Sequence, residues 1–184
     1  MTGCAMVRLA DDGMLALSPA RDSDWRGIVA LANAAFRGTG GWNAETGLIE
    51  GDRIGLDLLA EDLEAEPDAI LLVHRAALDL LACVKLAPKS PGIWHLGLLA
   101  VRPDLQARQI GRRVLEAAEE YARRRGGVKM RIGVIDARDT LIAWYERRGY
   151  RLTGESEPFP YGDDRFGRPL RPDMRFLILE KELR

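Results

Sequence analysis

The stretch Val101-Arg102-Pro103-Asp104-Leu105-Gln106-Ala107-Arg108-Gln109-Ile110-Gly111-Arg112-Arg113-Val114-Leu115 decides the fold. Ahead of it, Ile93-Trp94-His95-Leu96-Gly97-Leu98-Leu99-Ala100-Val101 is apolar on both faces, the pattern of a strand covered from two sides. Pro103 stops that strand. Behind the polar turn, Ile110, Val114, Ala118 and Tyr121 recur at helical spacing, with Leu115, Ala117 and Ala122 beside them. They predict a helix over 108–125, ended by Gly126-Gly127. A strand feeding a helix through a turn aims several backbone N–H groups and the positive end of the helix dipole at one point. Arg108, Arg112 and Arg113 add cations there, so a phosphate or pyrophosphate is the natural ligand. A solvated basic first turn is the plain alternative.

A second block follows. Met130-Arg131-Ile132-Gly133-Val134-Ile135 reads as a strand and Thr140-Leu141-Ile142-Ala143-Trp144-Tyr145-Glu146-Arg147-Arg148 as a helix. Asp139 stands where an N-cap belongs and Gly149 lies past the helix end, before Tyr150 opens another strand. The crossover from the strand at 93–101 through the helix to the strand at 128–135 is expected to be right-handed, with its strands parallel and adjacent.

Around these blocks the chain reads as one domain, 1–184, with 1–13 a loose N-terminal extension. A first strand at 14–17 precedes a helix over 23–36, whose apolar face is Ile28, Leu31, Ala32, Ala35 and Phe36. Asp22 or Ser23 is its expected cap. A second helix is expected over 54–64, then two meander strands at 69–75 and 78–86. A further strand at 151–153 leads into a long loop over 154–169, and a last strand at 174–183 closes the sheet.

The bulk properties narrow the class. Hydrophobic content of 47% with 30% charged residues describes a soluble globular protein. A net charge of −1 leaves no footprint for nucleic acid or an anionic membrane. Two cysteines, Cys4 and Cys83, and two histidines lack metal-ligand spacing and suggest a reducing compartment, so no metal is expected. Neither a leader pattern nor an apolar run of about 20 residues is present in the sequence. The expected location is the cytoplasm.

The two blocks together resemble the GNAT family of N-acetyltransferases, in its bacterial single-domain form. Gln106-Ala107-Arg108-Gln109-Ile110-Gly111 is similar to that family's pyrophosphate loop of Gln or Arg, two variable residues, Gly, one variable residue, then Gly or Ala. Gln109 departs from it, standing where the first glycine is usual. Leu141-Ile142-Ala143-Trp144-Tyr145-Glu146-Arg147-Arg148-Gly149-Tyr150 resembles the family helix in which a tyrosine precedes a charged pair and Gly-Phe or Gly-Tyr. The resemblance implies an α/β fold: a mixed, mostly antiparallel central sheet with one parallel, splayed strand pair, flanked by helices.

It also implies an acetyl-CoA-dependent N-acetyltransferase acting on a primary amine of a small molecule or peptide, with acetyl-CoA as cosubstrate. Family members form dimers, so a homodimer is compatible. Backbone groups of Leu99, Ala100 and Val101 match the pantetheine contacts, and Gln106, Ala107, Arg108, Gln109, Ile110, Gly111 and Arg112 the pyrophosphate cradle. Tyr145 matches the tyrosine facing the thioester sulfur. His95, six residues before Val101, sits where histone-acetylating members carry a glutamate base, and imidazole takes a proton near neutral pH. Trp42, Glu45 and Phe159 are candidates for the acceptor side. The competing expectation is a non-catalytic acyl-CoA-binding or sensing module, favoured only by Gln109.

Overall fold

The computed structural model describes residues 5–7, 15–40, 44–106 and 108–184. Its elements are β1 (Ala5–Val7), β2 (Leu15–Pro19), α1 (Trp25–Arg37), β3 (Ile49–Glu50), α2 (Leu56–Ala65), β4 (Ile70–Ala76) and β5 (Asp79–Ser90). They continue with β6 (Ile93–Val101), α3 (Ile110–Arg123), β7 (Lys129–Ile135), α4 (Asp139–Glu146), β8 (Arg151–Pro158), β9 (Arg168–Pro169) and β10 (Arg175–Glu182). Among the described residues, eight strands form one sheet in the order β1-β2-β4-β5-β6-β7-β10-β8, and β3 pairs with β9 in a small second sheet. Within those residues β6–β7 is the parallel pair and the other pairings are antiparallel. The fold is therefore the α/β arrangement expected, with its mixed sheet.

Each face of the sheet is covered because its strands alternate apolar side chains in both directions. On one face, Trp94, Leu96, Met130, Ile132 and Leu179 pack against Val114, Leu115, Ala118 and Ala122 of α3 and Ile142 of α4. On the other, Leu71, Val73, Cys83 and Ala100 pack against Ile28, Leu31, Ala32 and Ala35 of α1 and Leu58 and Leu59 of α2. α3 also buries Glu119, which accepts from the Tyr150 hydroxyl (3.0 Å) and from Lys181 Nζ (2.6 Å). Burial pushes that carboxyl above its usual range, while Lys181 opposes the shift.

Several boundaries differ from the sequence reading, for local reasons. The stretch read as a loose extension contains β1 at Ala5–Val7, which pairs with Leu15–Leu17. Asp22–Asp24 form a 3-10 turn, and α1 starts two residues later than expected, at Trp25, with Asp24 at its N-cap. Arg138, not Asp139, occupies the N-cap of α4. The long loop expected over 154–169 is strand as far as Pro158; Gly154, at φ 86°, introduces an irregularity, and the mostly exposed side chains of this edge strand gave no alternation to read.

Candidate active site

Two features of β6 open the sheet. Between Lys85↔Gly97 and Cys83↔Ala100, the single residue Val84 of β5 faces both Leu98 and Leu99. That is a β-bulge, and Leu98 takes φ 49° to make it. The Cys83 thiol donates to the Leu98 carbonyl at 3.6 Å, and burial pushes that thiol up to about 12, so it is a structural prop and not a nucleophile. The second feature is the parallel ladder with β7. It has three rungs, Ile93↔Lys129, Trp94↔Met130 and His95↔Arg131, and stops. From Leu96 onward the strands part.

A cavity of about 680 Å³ fills the gap. One wall is Leu96, Gly97, Leu98, Leu99 and Val101 of β6; the other is Ile132, Gly133, Val134 and Ile135 of β7. Ile110, Gly111 and Arg112 of α3 line one end of it. Their amides precede the first i→i−4 bond of α3, Arg113 N–H to the Gln109 carbonyl (3.0 Å), so they belong to the orphan donors of a helix start. This is the cradle an anion needs. Gln109 is the N-cap residue and adopts φ 60°, ψ 8°, in the left-handed region. Trp144, Tyr145 and Leu141 of α4 line the cavity, with Arg148 stacked 3.6 Å over the Trp144 ring.

Tyr145 is 4% exposed, edge-on to Trp144 at 4.9 Å and to Tyr150 at 5.3 Å. Its hydroxyl has no hydrogen-bond partner among the described residues. Burial pushes the phenol above its usual range, so it stays protonated and serves as a donor. His95 sits at the last rung before the strands part, and also lines the cavity. Burial first, and the Lys89 ammonium second, hold its imidazole below the usual range and hence neutral at pH 7.

The end remote from α3 is charged. Glu45, 6% exposed, is paired with Arg37, which also donates to the Gly51 (2.9 Å) and Phe166 (3.0 Å) carbonyls, and with Arg138 at 3.4 Å. Arg53 lines the same end, its guanidinium 5.5 Å over the Phe36 ring. Burial pushes both Arg53 and Arg138 below the usual guanidinium range.

Residues 13–150, spanning the bulge, the helix start and the tyrosine helix, match the Acetyltransferase (GNAT) family. The chain belongs to the GNAT family. It is similar to a protein described as an IAA acetyltransferase from Azospirillum brasilense, 34% identical over 123 residues, which cover 65% of this chain and 71% of that one. Its fold is shared by the ribosomal-protein-S18-alanine N-acetyltransferase of Escherichia coli, at TM-score 0.67 and 16% identity over 91% of this chain and 92% of that one. A GNAT acetyltransferase from Elizabethkingia anophelis with acetyl-CoA bound matches at TM-score 0.55 and 18% identity, over 66% of this chain and 83% of that one.

As a GNAT acetyltransferase, the chain gathers most of the residues singled out in its sequence. His95, Leu99, Val101, Gln106, Gln109, Ile110, Gly111, Arg112, Tyr145 and Glu45 line one cavity. Gln106 Nε2 also donates to the Val101 carbonyl (3.3 Å), tying the loop back to β6. Ala100 is expected to contribute backbone only, and its side chain is buried on the opposite face of β6, with the α1 core. Two expected residues stand apart. Arg108 is exposed outside the lining. Phe159 is 5% exposed in a small cluster, stacked on Phe176 at 5.5 Å; Phe176, not Phe159, reaches the cavity. Trp42 and Ala107 lie outside the described residues.

Glu45 lines the cavity, and its carboxylate is already paired with two arginines, Arg37 and Arg138. The sequence reading missed Arg53, Arg138, Trp144 and Arg148. Arg148 lies four residues after Trp144, the spacing of facing side chains on a helix, and that signal was available.

Proposed function

We propose that this chain moves an acetyl group from acetyl-CoA directly to a primary amine. What supports the reading is one cavity that holds an anion cradle, unpaired strand edges, a donor phenol and a neutral imidazole together. The amides that open α3 would receive the pyrophosphate, and the backbone of Leu99 and Val101 the pantetheine arm. The amine nitrogen attacks the thioester carbonyl carbon, the C–S bond breaks, and an amide forms. His95, directly or through one water, takes the proton that the nitrogen loses. Tyr145 donates a hydrogen bond to the departing sulfur. Since a phenol is a weaker acid than a thiol by more than one unit even before burial, that bond stabilises developing thiolate charge without full proton transfer.

The test is thiol release from acetyl-CoA against pooled primary amines. Release that depends on one pool supports the transferase; tight CoA binding with no release from any pool would replace it with the binding-module reading. A cytoplasmic location fits this chemistry, since acetyl-CoA is an intracellular metabolite.

A further inference from the structure

The acceptor end of the cavity carries charge that acetyl transfer alone does not require. Three guanidinium groups, from Arg37, Arg53 and Arg138, face a single buried carboxylate, Glu45. Arg37 is consumed by Glu45 and two backbone carbonyls, and Arg138 is paired with the second oxygen of Glu45. Arg53 has no ion pair and no side-chain hydrogen bond among the described residues; its side chain rests on Phe36, and its backbone N–H is tied to Asn33 Oδ1 at 2.6 Å.

Of the other charges around it, Asp62 acts on Arg53 without an ion pair and is itself paired with Lys85. Glu157 lines the main cavity but is exposed, and it lies on the His95 side, where it acts on the imidazole. A smaller neighbouring cavity of about 220 Å³ shares Arg53, His95, Gly97 and Leu98 with the first. Its remaining charges pair among themselves: Lys85 with Asp62 (2.6 Å) and Glu66 (2.8 Å), and Lys89 with Glu66. Arg165 and Arg168 are taken up at the surface by Asp163, Glu61 and Glu50. A half-buried guanidinium held in no ion pair among the described residues has its fork free for a ligand, and a planar carboxylate is the ligand that fork fits best.

We propose that the acceptor amine also bears a carboxylate, as an amino acid does, and that Arg53 receives it. This rests on the acetyl-transfer reading. In this arrangement the carboxylate lies against Arg53 and the amine is presented toward His95. A second positive charge on the acceptor is disfavoured, which excludes polyamines and other dications. The same cations shift the bound ammonium toward the neutral amine that attacks.

The experiment has two arms. In the first, thiol release is measured with a panel of α-amino acids, their amides and the corresponding amines lacking the carboxylate, for the wild type, Arg53→Met and Arg53→Lys. Acids should be used, and the amides and decarboxylated amines should lose about 100-fold or more in kcat/KM. Arg53→Met should raise KM for the acid roughly 10- to 100-fold with acetyl-CoA affinity unchanged, and Arg53→Lys should recover part of the loss. Equal or better use of the carboxylate-free amines, or an unchanged KM in Arg53→Met, overturns the proposal while leaving the transferase standing.

The second arm needs no turnover. Calorimetry with N-acetyl amino acids and N-acetyl amines, in the presence of CoA, should show binding of the acids alone, weakened in Arg53→Met. If thiol release fails with every amine, acid binding that depends on Arg53 still supports the carboxylate site. If neither acid nor amine binds differentially, the proposal falls.

Discussion

Replacing Tyr145 with phenylalanine should lower activity without lowering stability. The ring contacts, edge-on to Trp144 at 4.9 Å and Tyr150 at 5.3 Å, are kept by phenylalanine. Only the hydroxyl is lost, and among the described residues it has no partner to leave behind. A buried polar group without a partner costs about 1–3 kcal/mol, and water in the cavity offsets part of that. The variant should therefore be equal in stability or more stable by about 1 kcal/mol, which for a chain of this size raises Tm by about 2–4 °C at most. Turnover should fall, because the bond to the charge developing on sulfur is lost; at roughly 1.5–3 kcal/mol, that is about 10- to 100-fold in kcat. The KM for acetyl-CoA should hardly change, since the bond matters only as the C–S bond breaks. The assays are a thermal melt and steady-state thiol release on the same preparation. A lower Tm together with unchanged kcat would refute the reasoning, and would make Tyr145 a packing residue.

Three further outcomes are expected. His95 is held below the usual imidazole range, so its proton-accepting form is complete at neutral pH. The rate should rise with pH along a limb centred below about 6.5 and then level off, and His95→Gln should remove the limb and about 100-fold of the rate. A limb that persists in the variant would assign the base elsewhere. Gln109→Gly relieves a left-handed residue at about 1 kcal/mol but adds glycine's chain entropy of about 0.5–1 kcal/mol. Denaturant melts should therefore change by less than about 1 kcal/mol and calorimetry should show CoA binding kept; weaker CoA binding would mean that the Gln109 side chain itself contributes. Glu45→Gln leaves two buried guanidinium groups facing a neutral amide, and should destabilise the fold by about 3 kcal/mol, or roughly 6–12 °C in Tm. A melt within 2 °C of wild type, roughly the shift of 1 kcal/mol, would show that the pairings are exchanged for solvent.

The strand, turn and helix from Ile93 to Arg123, and the tyrosine helix, were legible because apolar periodicity and terminal glycines mark them directly. The family pattern supplied the splay. What alternation could not reveal was where it starts, because the bulge is made by Leu98, a residue with no preference for positive φ, held there by Cys83 and the β5 register. The β3–β9 ladder, of two residues on each strand, is too short to carry a period. Arg53 and Arg138 look in sequence like ordinary polar residues ahead of helices α2 and α4. Their burial is decided by tertiary neighbours such as Phe36 and Glu45, and local pattern says nothing of those. Phe159, between prolines, read as part of a packed loop on the acceptor side; it is packed, but onto Phe176, and Phe176 is the one of the two that reaches the cavity.

The three-rung seam between β6 and β7 also makes the sheet two slabs fastened at one edge. On one side lie β1, β2, β4, β5 and β6; on the other β7, β10 and β8. Beyond His95 and Arg131 the facing backbones of the two slabs are joined by no rung, so a peptide-like arm laid in the slot would act as a cross-brace. Donor occupancy would then govern stiffness as well as chemistry. The amide hydrogens within residues 99–101 and 133–135 that point into the slot should exchange faster in the bare protein than the alternate ones bonded into the β5 and β10 ladders, and should slow markedly with CoA, while those of residues 93–95 stay protected throughout.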